Sequence, residues 1–156
     1  MECNYIYKMK MAYSGKFKPK NPHKYKGNPT NIIYRSLWEM RFMRFCDMDS
    51  RIIKWSSEEV VIPYRSPIDR RIHRYFVDFL VQMKKADGSI NTMLIEIKPA
   101  SQTREPQKQS KVTKRYINEV FTWGVNQAKW AAAEEYCKDR NWEFKIFTEK
   151  ELGIKY

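Results

Sequence analysis

The stretch MLIEIKPA, residues 93–100, sets Glu96 and Lys98 two positions apart inside an otherwise apolar run. A second acid, Asp78, is isolated among Phe76, Val77, Phe79 and Leu80, where an unpaired carboxylate would be costly. Two carboxylates brought together repel unless something positive lies between them. Oxygen-only ligands suit a hard divalent ion, Mg²⁺ with Mn²⁺ as a substitute, which can share its remaining positions with water and a phosphate oxygen. An ammonium beside that ion can stabilise developing hydroxide or a pentacovalent phosphate, and with a lowered pKa it can act as a base. Phosphodiester hydrolysis is the reaction such a trio fits. The competing interpretation is a structural ion pair on a half-exposed strand face, because D…ExK spacing is loose enough to recur by chance.

Whether the trio forms depends on the strands beneath it. Period-two geometry puts Thr92, Leu94, Glu96 and Lys98 on one face and Met93, Ile95 and Ile97 on the other. Residues 73–83, HRYFVDFLVQM, read as the preceding strand. Two hairpin registers connect them. A two-residue Asp87-Gly88 loop sets Asp78 opposite Ile97, facing away from Glu96; a three-residue Ala86-Asp87-Gly88 loop, with Gly88 left-handed, sets it directly across from Glu96. The odd-length loop is the expectation, because only that register brings the acids together.

Elsewhere, IIYRSLWEMRFMRF carries apolar residues, among them Leu37, Met40 and Phe45, at helical spacing from about Ile33 to Phe45. Ser36 to Glu39 also reads as a capping box, with Glu39 reaching back to the Ser36 amide. EVVIPY, 59–64, is a β-branched strand stopped by Pro63 and Pro67, and TMLIEIK, 92–98, is a third strand. ASQTREPQKQSK reads as a mobile basic loop. A helix resumes near Thr113, with Gly124 a break or a kink, so one bent helix or two fit. EFKIFT, 143–148, is a last strand, followed by a helical turn. The order αβββαβ predicts an α/β (α+β) fold with a central mixed four-stranded sheet flanked by helices.

Thirty Lys and Arg against eighteen Asp and Glu give a formal charge of +12, which points to a polyanionic partner. Three basic groups stand out: SGKFKPKNPHKYKGNPTN at 14–31, read as an extended arm with no period that could bury a face; RSPIDRRIHR at 65–74; and Arg104 to Arg115. Within these, Lys16, Lys18, Lys20, Arg71, Arg74, Lys111 and Lys114 are candidate contacts to the phosphates of double-stranded or branched DNA, with little base readout. Gln127 and Lys129 are further candidates, against the alternative of a solvated helix face around a core Trp130. The arm and residues before it, 1–31, are set apart from a domain spanning 32–156. No apolar run approaches the roughly 18 residues of a membrane span, and the first residues lack a signal-peptide pattern. Cys3, Cys46 and Cys137 have no paired spacing and read as free thiols, the last two in helices. His23 and His73 suit phosphate contact or exposure better than zinc. No Gly-rich phosphate loop is present, so a nucleotide cofactor is not expected.

Glu39, Asp78 and Glu96-Ile97-Lys98 in this element order resemble the PD-(D/E)XK nuclease superfamily. More narrowly, AYSGKF, IIYRSLWE, VVIPY, RRIHRYFVDF, LIEIKP, KRYINEVFTWGVNQAKW and FKIFTEKEL are similar, in order, to the head completion nucleases of large contractile-tailed bacteriophages. The similarity runs from about Met11 to the C-terminus, which makes residues 1–10 dispensable and Met11 a candidate initiator. The resemblance implies Asp78 and Glu96 as metal ligands, Glu39 as a third or water-mediated ligand, and Lys98 as the catalytic lysine. It also implies DNA as substrate, portal or neck proteins as partners, and residence in the host cytoplasm or the virion. Val77 departs from the pattern, since a proline usually precedes the acid. The alternative within the same fold is a catalytically silent protein that binds DNA or the portal to close the head.

Overall fold

Alternating apolar residues on either side of a glycine turn build the centre of the molecule. The computed structural model describes residues 13–154; Cys3 and the expectations for residues 1–10 and Met11 fall outside the described residues. In chain order the elements are β1 (Gly15–Phe17), β2 (Ile32–Tyr34), α1 (Leu37–Met48), β3 (Ile52–Ser57), β4 (Val61–Arg65), β5 (Ile72–Phe76), β6 (Phe79–Lys84), β7 (Ile90–Ile97), α2 (Lys114–Arg140) and β8 (Glu143–Phe147), with 3-10 turns at Pro22–Lys24 and Ala100–Thr103. The mixed four-stranded sheet is ordered β3-β6-β7-β8. Its first two pairings are antiparallel and β7–β8 is parallel, a connection that needs the crossover α2 supplies.

Each face of the sheet has its own core. Phe79, Val81, Met93, Ile95 and Ile97 pack with Phe42, Met43 and Cys46 of α1 and with Trp55 of β3. Leu80 and Leu94 point the other way, toward Trp130, Ala133 and Cys137 of α2 and toward Ile62, Tyr64 and Tyr75 of the β4–β5 ribbon. Both thiols lie in these helices, buried and unpaired. α2 is one continuous 27-residue helix, capped by the Thr113 hydroxyl. At Gly124 an added Cβ would meet only the Pro67 ring, at an ordinary contact distance of 3.7 Å, and the helix runs through the glycine unbroken.

Several local expectations are corrected. The edge strand beside β6 is β3, not the EVVIPY segment, which pairs as β4 with β5 in a separate two-stranded ribbon. The run 73–83 is two strands, broken at Val77-Asp78. Ile32–Tyr34 is a strand paired with β1 rather than the start of a helix. In α1 the buried stripe is Phe42, Met43 and Cys46, whereas Phe45 is largely exposed. The last residues described form a turn closed by Leu152 and Ile154 amides on Thr148 and Glu149 carbonyls.

The segment 14–31 is likewise no extended arm. Tyr25 enters the core and Phe17 packs against it, and Lys24 is buried with its Nζ donating to the carbonyls of Asp47 (3.0 Å) and Asp49 (2.8 Å). A cation at a helix C-terminus satisfies carbonyls that have no intrahelical partner and opposes the negative end of the dipole. The buried Asp47 carboxylate accepts the amides of Lys20 and Asn21 in return. Lys24→Met, which keeps the stem and deletes the donor, should cost about 2 kcal/mol, read as a lower midpoint in urea denaturation.

Candidate active site

The β6–β7 hairpin sets the register on which the site depends. Phe79 faces Ile95 and Lys84 faces Ile90. The Lys85 amide donates to the Ser89 carbonyl (2.8 Å), and Gly88, with φ +86°, donates to the Lys85 carbonyl (3.0 Å). The three-residue loop is therefore the one adopted, and continuing the ladder one step brings Asp78 opposite Glu96. Both share the parity of Leu80 and Leu94, which face α2.

Asp78 occupies the joint where the chain leaves the ribbon and enters the sheet. Its Oδ2 accepts the Ile97 amide at 2.8 Å. Burial, then the negative charges of Glu96 and Glu39, push its carboxyl well above the usual carboxylate range; the Ile97 amide and Lys98 oppose them without prevailing. Val77 accounts for the departure from proline. Its side chain is buried and its amide donates to the Val60 carbonyl at 3.0 Å, a bond proline could not make.

Glu96 is only 5% exposed. Its Oε1 lies 3.3 Å from the Lys98 Nζ, and its Oε2 accepts the Tyr75 hydroxyl at 2.5 Å. Tyr75, buried in β5, is held protonated by burial and by the Glu96 charge, both of which raise its pKa. Lys129 of α2 lies over the Tyr64 and Tyr75 rings, 5.8 and 5.5 Å from their centroids. Desolvation chiefly, then the charge of Lys98, lowers its pKa, while Glu96 and Asp78 pull it back up.

Glu39 approaches from the α1 layer. The Ser36 hydroxyl accepts the Glu39 amide (3.1 Å), as the capping box requires, and the Glu39 carboxylate takes the amide of Arg35 (2.8 Å). Arg35 in turn grips Glu58 through Nε and Nη2, both at 3.1 Å, and Glu58 donates its amide to the Asp78 carbonyl. Glu39 is thus coupled to Asp78 electrostatically. Among the described residues, however, no three His, Cys, Asp or Glu side chains form a ready metal-holding group. The expected three-carboxylate set reduces to a pair with a third acid nearby. That pair still fits a hard cation: its donors are all oxygen, the charge of Glu96 raises the cost of ionising Asp78, and among the described residues only Lys98 forms an ion pair with either. Mg²⁺ commonly takes one or two carboxylates and completes its shell with water and phosphate.

The phosphate-contact candidates distribute unevenly. Arg71 and Arg74 are exposed on or beside β5, Arg74 lying over the Phe76 ring. Lys111 and Lys114 are exposed ahead of and at the start of α2, and Gln127 is exposed farther along that helix. Lys16, Lys18 and Lys20 are exposed and share a 410 Å³ cavity with Arg44. Lys20 is tied to Asp47, roughly 12 Å of helix rise from Glu39. The structure does not bring that end of the group to the carboxylates. His73 pairs with Asp69 at 2.8 Å, and His23 offers its carbonyl to Lys54. Tyr75 escaped the sequence reading because an unbroken strand from 73 to 83 would put residue 75 on the face opposite Asp78; the break at 77–78 removes that parity.

A carboxylate pair at a hairpin, with a lysine two residues on and a mixed sheet beneath, is the arrangement of a nuclease. Residues 49–149 match the family described as TnsA-like endonuclease N terminal, and the chain belongs to that family. It is similar over nearly its full length to the head completion nuclease of Enterobacteria phage T4, with 43% identity over 152 residues covering 93% of this chain and 99% of the relative.

Proposed function

We propose that the chain is a Mg²⁺-dependent deoxyribonuclease that hydrolyses phosphodiester bonds in phage DNA during head completion and head–tail joining. The observation that carries this reading is the cross-strand placement of Asp78 and Glu96 on one sheet face with the Lys98 ammonium at 3.3 Å from Glu96. Asp78 and Glu96 would hold the cation, Mg²⁺ or Mn²⁺, with Glu39 acting from the helix layer. When bound, such an ion neutralises phosphate charge and lowers the pKa of attacking water. Lys98 meets the negative charge that builds on the phosphate oxygens, in a partly buried setting where that attraction is worth more than in water. Tyr75 fixes one oxygen of Glu96 and leaves the other on the Lys98 side. Lys129 adds a second cation beside the reacting phosphate, while the exposed Arg and Lys residues hold the flanking backbone without reading sequence.

The phage setting follows the relative's name, and portal or neck partners follow the resemblance alone. No helix among the described residues is long and apolar enough to cross a membrane. Linear and covalently closed circular DNA, incubated with the purified chain, should be degraded in Mg²⁺ and stay intact in chelator. No cleavage of either form in Mg²⁺ would refute the enzymatic reading and leave the silent head-closing protein.

A further inference from the structure

A cavity of about 440 Å³ opens between the segment after β7 and the first half of α2, lined by Gln102, Arg104, Arg115, Trp123 and Asn126 among others. It adjoins the candidate active site along two elements. Gln102 follows Lys98 by four residues, and Asn126 precedes Lys129 by three, one turn of the same helix face. Asn126 is only 5% exposed and lines this cavity.

We infer that the cavity takes one unpaired nucleotide of the DNA substrate next to the scissile phosphate, so that the preferred substrate carries single-stranded character there. The wall chemistry is that of a base site. The Trp123 ring is half-buried, stands edge-on to Trp130 (87°), and offers a flat surface on which any base can stack. The amides of Asn126 and Gln102 each bring paired donors and an acceptor, matching a base edge. Arg104 has no carboxylate partner among the described residues, and Arg115 is partly offset by Glu119 at 3.2 Å, so cationic donors for the nucleotide's phosphate are at hand. The volume lies within the range of small-ligand sites, about 300–1,000 Å³. A base inside a duplex cannot reach such a cavity without leaving its stack, which costs least when it is already unpaired.

The inference takes its ligand from the nuclease reading, and binding in chelator tests it without cleavage. Fluorescence anisotropy with the full chain should show a duplex bearing a single-stranded overhang bound at least about tenfold tighter than the blunt duplex. An overhang made abasic at the nucleotide joining the duplex should lose that gain. Trp123→Ala, and separately Asn126→Leu, should bring the overhang to the blunt affinity while leaving blunt binding near wild type, measured below the melting temperature of each variant because the Trp123 ring also packs on Trp130. Equal wild-type affinity for blunt and overhang DNA, or an abasic overhang bound as tightly as the intact one, overturns the base site. If Asn126→Leu misfolds, Trp123→Ala and the abasic overhang still decide. A chain that discriminates overhangs yet cuts nothing in Mg²⁺ fails as a nuclease and keeps the site.

Discussion

Glu96→Gln and Lys98→Met should each lower the rate of DNA cleavage in Mg²⁺ by about 10²–10⁴-fold, while affinity for DNA in chelator stays within about threefold of wild type. The separation follows from the division of labour in the structure. On the proposed function, affinity would come mainly from exposed cations meeting phosphates, spread over the ribbon, the segment after β7 and the start of α2. Glu96 is buried and contributes no such contact. Glutamine keeps an acceptor for the Tyr75 hydroxyl, so the packing around β5 survives, but it removes the anionic donor that a hard cation requires. Methionine at 98 keeps the stem of the lysine and loses only its charge. Single-turnover cleavage of labelled DNA, with anisotropy as the binding control, separates the effects. Variants that cut at the wild-type rate would reduce the trio to the structural ion pair that its loose spacing permits.

Asp78→Asn should make the metal-free protein more stable at neutral pH and inactive at once. The folded-state pKa of Asp78 is raised above its ordinary 3.8, so between those two values the folded chain holds a proton that the unfolded chain has released. Stability then falls as pH rises through that window, and the loss is complete above the folded value. Asparagine is nearly isosteric, can still accept the Ile97 amide, and cannot ionise. In chelator its advantage should be absent near pH 4 and grow as pH rises toward the folded-state value, because only the aspartate must give up its proton in the folded chain. At about 2–4 °C per kcal/mol for a chain of this size, calorimetry resolves it. Adding Mn²⁺ should reverse the order, because only the wild type gains from binding. A variant no more stable than wild type in chelator at pH 8 would mean that Asp78 carries no such burden.

The carboxylate pairing was legible in the sequence because two parities and one glycine determine it. Residues 94, 96 and 98 share a face on any strand, and Gly88 marks the loop whose odd length brings Asp78 to that face. The sheet's edge was not legible. IIKWSS breaks its apolar run with a lysine and two serines, whereas VVIPY has the stronger local β pattern, and nothing in a short alternation tells a two-stranded ribbon from a central sheet. The basic segment 14–31 misled for another reason. Lysine is rarely buried, and Lys24 is buried because two carbonyls at the end of α1 await it, a partner that only tertiary structure supplies. Glu39 was legible as a first-turn acid beside the site, but which amide it accepts depends on the path of the chain before the helix.

The amide of Val77 has a wider implication. Because it ties the entry of β6 to Val60, a proline at that position would forfeit an anchor, and the residue that lends the superfamily its first letter would here be a handicap. Pattern searches that insist on the imino acid would discard chains built like this one, whereas a rule based on hairpin parity, acid across from acid and lysine two steps on, would retain them.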